Sequence, residues 1–278
     1  MKTNTASPSL NPLGKLALIA LSGVMAMLVH PASAQIVMDE GHVDLDFDYI
    51  GGEWVITVNH DDFPAVAPGD ALLHARDDAW PSGSRLERPP GDNWNFVGVG
   101  AGESFWHFPQ TQQSGILWPG FAAENTPHGT LAAYSELDPR VTDTAARWIS
   151  ISLEEVRFTG EGDGHVSLWT TGAFGDQNVF WSTFDEPEHG NIWYQLEGGH
   201  SHMNWAFSDP GLYELDLRAS AFLNDGEMTL VESDIVTFEF GIGVIPEPKT
   251  YTLLAGLAAY AAILVIRRKR NTHPYQKS

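Results

Sequence analysis

Apolar and polar residues alternate along most of the middle of the chain, and a period of two is typical of β-strands with one solvated face. Seven runs show this pattern: 42–49, 53–60, 147–158, 165–170, 178–183, 211–222 and 229–240. Turn signals separate neighbouring runs, as at Gly51-Gly52 and Asn224-Asp225-Gly226. No stretch between 35 and 245 shows a long apolar stripe of helical period. The pattern predicts an all-β fold, an antiparallel β-sandwich of the Ig-like or jelly-roll-like kind.

The section from 77 to 131 departs from this alternation. It is rich in Pro, Gly and Trp, and its pattern is weaker. We expect long loops with a few short strands there, since loops of this kind carry binding surfaces on a rigid scaffold.

The N-terminal segment has the composition of a secretory signal peptide. Lys2 and Lys15 precede an apolar run at 16–29, and the small residues Ala32 to Ala34 follow it. The run is short for a permanent membrane span. Residues 1–34 are therefore predicted to direct export and to be removed by signal peptidase after Ala34.

The C-terminal segment has three parts in a fixed order: Pro246-Glu247-Pro248, a mostly apolar stretch at 251–266, and the basic cluster 267–270. Positive charge after an apolar helix holds that end in the cytoplasm. Segment 246–278 closely resembles the PEP-CTERM sorting signal. The resemblance implies a temporary transmembrane helix at 251–266 and cleavage near the Pro-Glu-Pro motif by an exosortase-type protease, in a Gram-negative bacterium that makes extracellular polysaccharide. The alternative is a simple tail anchor.

Residues 35–245 form the predicted surface domain, and their charge limits the possible partners. The range holds seven arginines, no lysine and 35 acidic residues, a formal charge of −28. Such a surface repels nucleic acid and anionic lipid but tolerates cations. The chain has no cysteine, which excludes disulfides, thiolate metal sites and a cysteine nucleophile.

His200 and His202 stand one residue apart, so on a strand they project from the same face and can share one ion. Neutral imidazole is a common metal ligand, and the pair is a half-site for a divalent ion such as zinc or manganese. A third ligand must come from elsewhere, with His42, His107 and His165 as the candidates. The competing interpretation is two polar residues on a solvated strand face.

An unbroken strand through this segment would place Asn204 on the face of the two imidazoles. Met203, Trp205 and Phe207 would then line the opposite, apolar face. His60, which ends an earlier run, is expected to be a solvated residue at the end of a strand.

Four segments resemble the choice-of-anchor M domain of bacterial surface proteins: GHVDLDFDY at 41–49, SFWHFPQTQQSGILWPGF at 104–121, GDGHVSLW at 162–169 and HSHMNWAFSDPGLYELDL at 200–217. The family joins one ectodomain to different anchors, which suits a PEP-CTERM tail. The resemblance implies a surface protein that handles a metal or a metal-bearing ligand, without catalysis. The residues that match by position are His42, His200, His202, Asn204 and Trp205, and the last two are therefore candidate ligand contacts.

Catalytic motifs are missing from the sequence: it contains no G-x-S-x-G elbow and no H-E-x-x-H zinc motif. We therefore expect a noncatalytic protein, although three histidines around zinc with an open position would activate water. The rival binding function is recognition of exopolysaccharide in a biofilm matrix. Aromatic side chains in loop-like sequence, Trp80, Trp94, Trp106 and Trp118, would stack on sugars unless these rings serve the core, and Trp94 and Trp106 are the two chosen as candidate ligand contacts.

Overall fold

The computed structural model describes residues 35–133 and 138–244, all of which belong to one compact unit. The predicted signal peptide at 1–34 and sorting signal at 246–278, with its helix at 251–266, lie outside the described residues. Within the described ranges, no helix has the length and apolar character needed to cross a membrane. The predictions for the two ends of the chain stay predictions.

Strands dominate the described residues, which confirms the all-β prediction. Two short 3-10 helices, Pro68–Asp70 and Asp92–Val97, accompany them. In chain order the strands are β1 (Ile36–Met38), β2 (Gly41–Ile50), β3 (Glu53–His60), β4 (Phe63–Val66), β5 (Ala71–Ala75), β6 (Arg85–Glu87), β7 (Ser104–Phe108), β8 (Leu117–Ala122), β9 (Trp148–Gly160), β10 (Val166–Thr171), β11 (Gln177–Ser182), β12 (Ile192–Leu196), β13 (His200–His202), β14 (Asn204–Phe207), β15 (Gly211–Phe222), β16 (Leu230–Glu232) and β17 (Val236–Ile242).

The strands form three open sheets. The largest has the order β1-β5-β17-β15-β9-β12, with β16 paired to β15. The second has the order β11-β10-β14-β7-β6, and the third β13-β8-β2-β3-β4. Along β15 every second residue is buried, beginning with Gly211, as the alternation predicts. Along β2 both faces are buried, including Asp44, Asp46 and Asp48, so the solvated face expected from its alternation is absent.

The sheets are not purely antiparallel, which corrects the sequence prediction. Strand β5 pairs in parallel with both β1 and β17, and β2 pairs in parallel with β8. The physical reason is that alternation records only which face of a strand is buried, and not the direction of its neighbour. Parallel neighbours need long crossover connections, and the connection from β2 to β8 is one that includes the loop-rich section.

Side chains from all three sheets meet in one apolar core around Trp205. The Trp205 ring on β14 lies 5.4 Å from Phe121 on β8 and 5.4 Å from Phe240 on β17, measured between ring centroids. Trp205 is fully buried, as are Met203 and Phe207. Trp205 therefore stabilises the core and has no surface on which to contact a ligand.

Candidate metal site

The third sheet brings strands from both ends of the domain to the same place. Asp44 on β2 and His202 on β13 both pair with Gly120 of β8, from opposite sides. Two residues further along β8, Ala122 lies opposite His200. Because alternate residues share a face, these side chains project from one surface of the sheet, and the absence of a side chain at Gly120 leaves space between them.

Three imidazoles converge above Gly120. His42, His200 and His202 each present a ring nitrogen, and these three atoms lie within 4.8 Å of one another. The Nε2 atoms of His42 and His202 are 3.1 Å apart. We call these three residues, together with Asp44, the histidine cluster. Of the three candidates for a third ligand, the structure places His42 beside the His200–His202 pair.

Asp44 adds an oxygen to this group. Its Oδ2 lies 3.2 Å from His42 Nε2, and its Oδ1 lies 3.8 Å from His202 Nε2. Asp44 is almost fully buried, and its Oδ1 has no hydrogen-bond partner among the described residues. A buried carboxylate oxygen without a partner is costly, and a cation at the centre of the cluster would satisfy it.

Two further carboxylates stand behind the imidazoles. Asp61 Oδ1 is 3.2 Å from His42 Nδ1, and Glu124 Oε1 is 2.6 Å from His200 Nδ1. A carboxylate that accepts a hydrogen bond from Nδ1 leaves Nε2 as the free nitrogen and orients the ring. Histidine ligands of metal ions have this same arrangement.

His202 is held by its surroundings in the neutral form that binds metal. Its ring stacks on Trp118 at a centroid distance of 3.5 Å and an angle of 14°. Burial, and next the nearby His42, lower the pKa of His202 to about 4. At His200 the hydrogen bond to Glu124 outweighs burial and raises the pKa. Near neutral pH, His202 therefore offers a lone pair without first losing a proton.

Acidic residues continue along the same face of β2. Burial is the main reason that the pKa of Asp44 is raised. Burial, followed by repulsion from Asp44 and Asp48, raises the pKa of Asp46 to about 7. Asp48 has a structural role, because it accepts hydrogen bonds from the backbone and side-chain nitrogens of Asn125 at 2.8 and 3.0 Å. The row of carboxylates makes this face strongly attractive to a cation.

Sequence reasoning missed Asp44 as a candidate ligand. The sequence contains a signal for it. Asp44 follows His42 by two residues on an alternating strand, which is the same spacing as that of His200 and His202. Acidic residues are so frequent in this chain that one position among them carried little information.

The other two candidate histidines lie elsewhere. His107 Nε2 is 3.1 Å from Asn204 Oδ1, and burial lowers the pKa of His107 to about 4. His165 lies beside Thr183, with 3.5 Å between its Nδ1 and the hydroxyl, and beside the ring of Phe184. Neither residue belongs to the three-histidine group, so the structure does not support them as its ligands.

Asn204 is also separated from the two imidazoles, which corrects a second expectation. The strand is broken at Met203: β13 pairs with β8, whereas β14 belongs to a different sheet and pairs with β7 and β10. The chain changes sheets at this fully buried residue. A face assignment based on an unbroken strand fails at such a point.

The tryptophans predicted to stack on sugars are largely packed. Trp106 is only 7% exposed, lies on β7 and donates through Nε1 to Asp77 Oδ1 at 3.2 Å. Trp94 packs against Phe96 in a second, smaller core cluster. His60 is 4% exposed, and its Nε2 donates to the Glu40 carbonyl at 2.8 Å, so the prediction of a solvated His60 is wrong.

The chain matches no protein-family model and no curated protein. The resemblance to the choice-of-anchor M domain stays a prediction carried by the four quoted segments. The described residues themselves define an all-β protein in which three histidines, one of them exposed and two half-buried, converge with a buried aspartate on a sheet face.

Proposed function

We propose that this chain is a noncatalytic, exported protein of the cell surface or extracellular matrix, in which a β-sandwich binds a divalent transition metal, zinc or manganese. The observation that carries the proposal is the convergence of three imidazoles, two of which have a carboxylate behind them. His42, His200 and His202 would supply the nitrogen ligands, and Asp44 the oxygen.

The donor set and its spacing fit a metal of this class. Zinc binds imidazole nitrogen at about 2.0–2.1 Å, and tetrahedral geometry then separates two nitrogens by about 3.3 Å. The separation of 3.1 Å between His42 Nε2 and His202 Nε2 is close to that value. Imidazole favours zinc and its neighbours, while a carboxylate oxygen also suits manganese. Calcium, which requires six to eight oxygen ligands, is poorly matched.

A four-ligand set also favours binding over catalysis. Catalytic zinc keeps one position open for water, whereas structural zinc has four protein ligands. Asp44 lies where it would occupy the fourth position, 3.2 Å from His42 Nε2. The proposal of a noncatalytic protein rests on this arrangement together with the family resemblance.

The proposed location rests on the two ends of the chain. Segment 1–34 would direct export and be removed by signal peptidase, and segment 246–278 would be cleaved by an exosortase-type protease, with the helix at 251–266 as a temporary membrane anchor. Intact mass spectrometry of protein extracted from the cell surface tests this. A mature chain without Arg267 to Arg270 supports sorting, and a chain that retains them supports the plain tail anchor.

The metal proposal is tested by thermal unfolding of the full-length chain after treatment with chelator, with and without added Zn²⁺ or Mn²⁺. A ligand that binds only the folded form at 100 times its Kd stabilises it by about 2.7 kcal/mol, so Tm should rise. His202→Ala and Asp44→Asn should each abolish or strongly reduce the rise. His189→Ala is the control, because His189 is exposed and lies outside the cluster.

Two outcomes of this experiment would contradict the metal proposal. If neither ion moves the Tm of the wild-type protein, or if His189→Ala reduces the rise as much as His202→Ala does, the cluster is not a metal site. The imidazoles would then serve as hydrogen-bonding and packing residues beside the Trp118 ring.

A further inference from the structure

A second concave site lies at the sheet that contains β7, β10 and β14, whereas the histidine cluster lies on the sheet of β2, β8 and β13. It is a cavity of about 380 Å³, within the range of about 300–1,000 Å³ that is usual for small-molecule sites. Its lining includes Trp80, His107, Gln110, Gln113, Thr171 and Asn204. We call this cavity the neutral pocket.

Hydrogen bonds fix the floor of the neutral pocket. Asn204 Oδ1 accepts from His107 Nε2 at 3.1 Å and from the backbone N–H of Gln110 at 3.0 Å. Asn204 Nδ2 donates to the Thr171 hydroxyl at 3.1 Å and to Gln110 Oε1 at 3.2 Å. The backbone N–H of Thr171 donates to the same Gln110 oxygen at 2.8 Å. The network holds these groups in one arrangement before any ligand arrives.

Other polar groups of the lining remain available to a ligand. The Gln110 side-chain N–H₂, the Gln113 amide and the Trp80 indole N–H make no hydrogen bond within the part of the chain that the structure describes. Trp80 is half-buried, and its ring centroid lies 5.6 Å from that of His107. The pocket therefore offers amide donors and acceptors next to an aromatic surface.

The lining of the pocket is uncharged, in contrast to the rest of the domain. No Asp, Glu, Lys or Arg is among its lining residues, although the chain has 36 acidic residues. Burial lowers the pKa of His107 to about 4, so this ring is neutral at physiological pH. A charged ligand would find no counter-charge here, and an aliphatic ligand would leave the amides without partners.

We propose that the neutral pocket binds an uncharged saccharide. Hydroxyl groups of a sugar pair with amide and hydroxyl side chains, and its C–H face packs on an indole, which has a negative π face. Of the four tryptophans predicted to stack on sugars, Trp80 lines this pocket and Trp94, Trp106 and Trp118 do not, and the proposal does not depend on the proposed metal function. Trp80 would contribute the stacking surface, and Gln110 and Gln113 the hydrogen bonds.

Affinity gel electrophoresis of the full-length chain in EDTA tests the proposal, with dextran, galactomannan and a mixed-linkage β-glucan as neutral probes and alginate as an acidic one. We expect retardation by at least one neutral probe. Trp80→Ala and Gln113→Ala should each weaken it about tenfold, a loss of about 1.4 kcal/mol. Phe174→Ala is the control for nonspecific adhesion, because Phe174 is a fully exposed aromatic residue outside the pocket.

Retardation that is lost in both pocket variants and kept in Phe174→Ala supports the proposal. If Trp80→Ala lowers Tm, Gln113→Ala alone decides, since Gln113 is only partly buried and makes no described side-chain hydrogen bond. Absence of retardation by every neutral probe, retardation by alginate alone, or retardation that Gln113→Ala leaves at the wild-type strength overturns it. The use of EDTA keeps this outcome distinct from failure of the metal site.

Discussion

The histidine cluster and the neutral pocket both contain imidazoles, and both take residues from segment 200–204, yet different groups lie behind their rings. In the cluster, Asp61 and Glu124 are 3.2 and 2.6 Å from the Nδ1 atoms of His42 and His200. In the pocket, His107 faces the amide oxygen of Asn204. A carboxylate makes an imidazole a stronger ligand for a cation, whereas an amide partner in a buried setting keeps it a neutral hydrogen-bond donor.

The histidine cluster and the neutral pocket should differ in how substitutions affect ligand binding and the free energy of unfolding. The cluster holds the buried Asp44 carboxylate next along β2 to the buried Asp46, and this arrangement costs stability unless a cation is present. Side chains of the pocket satisfy one another through Asn204. Substitutions in the cluster should therefore act mainly on metal binding, and substitutions in the pocket floor mainly on folding.

The largest effect is expected from Asn204→Leu. Leucine has a similar size, but it leaves His107 Nε2, the backbone N–H of Gln110 and the Thr171 hydroxyl without the partner they have now. Asn204 is buried and two of these partners, His107 and Gln110, are half-buried, so the loss of their bonds should lower the free energy of unfolding by about 4 kcal/mol. Urea denaturation measures this, with Asn93→Leu as an exposed control. Equal losses in the two variants would contradict the structural role of Asn204.

The pH dependence of stability should identify His107 as a buried neutral group. Its pKa is about 4 in the folded protein, against 6.5 as the ordinary value. The unfolded chain therefore takes up a proton at His107 as pH falls below 6.5, while the folded protein does so only near 4. The contribution of neutral His107 to the free energy of unfolding is therefore complete above pH 6.5. It decreases by about 3 kcal/mol as the pH falls from 6.5 to 4.

His107→Gln tests whether His107 causes the loss of stability between pH 6.5 and 4. Urea denaturation in EDTA at a series of pH values should show a smaller loss of stability between pH 6.5 and 4 than in the wild-type protein. His189→Gln, at an exposed position, should keep the wild-type profile. If His107→Gln also follows the wild-type profile, His107 does not titrate as a buried group.

Much of this fold could be predicted from alternation alone. The runs at 42–49, 53–60 and 211–222 correspond closely to β2, β3 and β15. Such runs identify strands, but they predict burial only where one face is solvated, as in β15 and not in β2. The parallel pairing of β2 with β8, and the change of sheet at Met203, depend on contacts between distant segments and leave no periodic signal.

The candidate site shows the same limit. The His200–His202 pair could be found because its spacing on a strand has geometric meaning, and the family resemblance pointed to His42. The glycine at position 120 and the stacking of Trp118 on His202 could not, because they matter only once β8 lies between β2 and β13. The prediction that Asn204 shares a face with His200 and His202 was wrong for the same reason, because the change of sheet at Met203 depends on contacts between distant strands.

A smaller effect on stability, with loss of metal binding, is expected from Gly120→Ala. A Cβ at this position would meet the His202 ring and the Ser201 carbonyl oxygen, both at 2.7 Å. Relief of that overlap should cost about 2 kcal/mol and move His202 out of the cluster, so the increase in Tm with zinc should vanish. Gly69→Ala is the matched control, because a Cβ there meets nothing within 4 Å. Retention of the full zinc effect in Gly120→Ala would show that His202 is not a required ligand.

The smallest effect is expected from Glu124→Gln. Glutamine can still accept the hydrogen bond from His200 Nδ1, now 2.6 Å from Glu124 Oε1, but it carries no charge. Loss of a carboxylate behind a ligating histidine typically weakens metal affinity about 10-fold to 100-fold, and we expect the lower end because the hydrogen bond is kept. Isothermal titration with Zn²⁺ measures the change. Glu53→Gln removes the same charge from an exposed position on the same sheet, so a comparable loss there would assign the effect to overall charge. A tenfold loss confined to Glu124→Gln would instead assign it to the carboxylate behind His200, the feature that distinguishes the cluster from the neutral pocket.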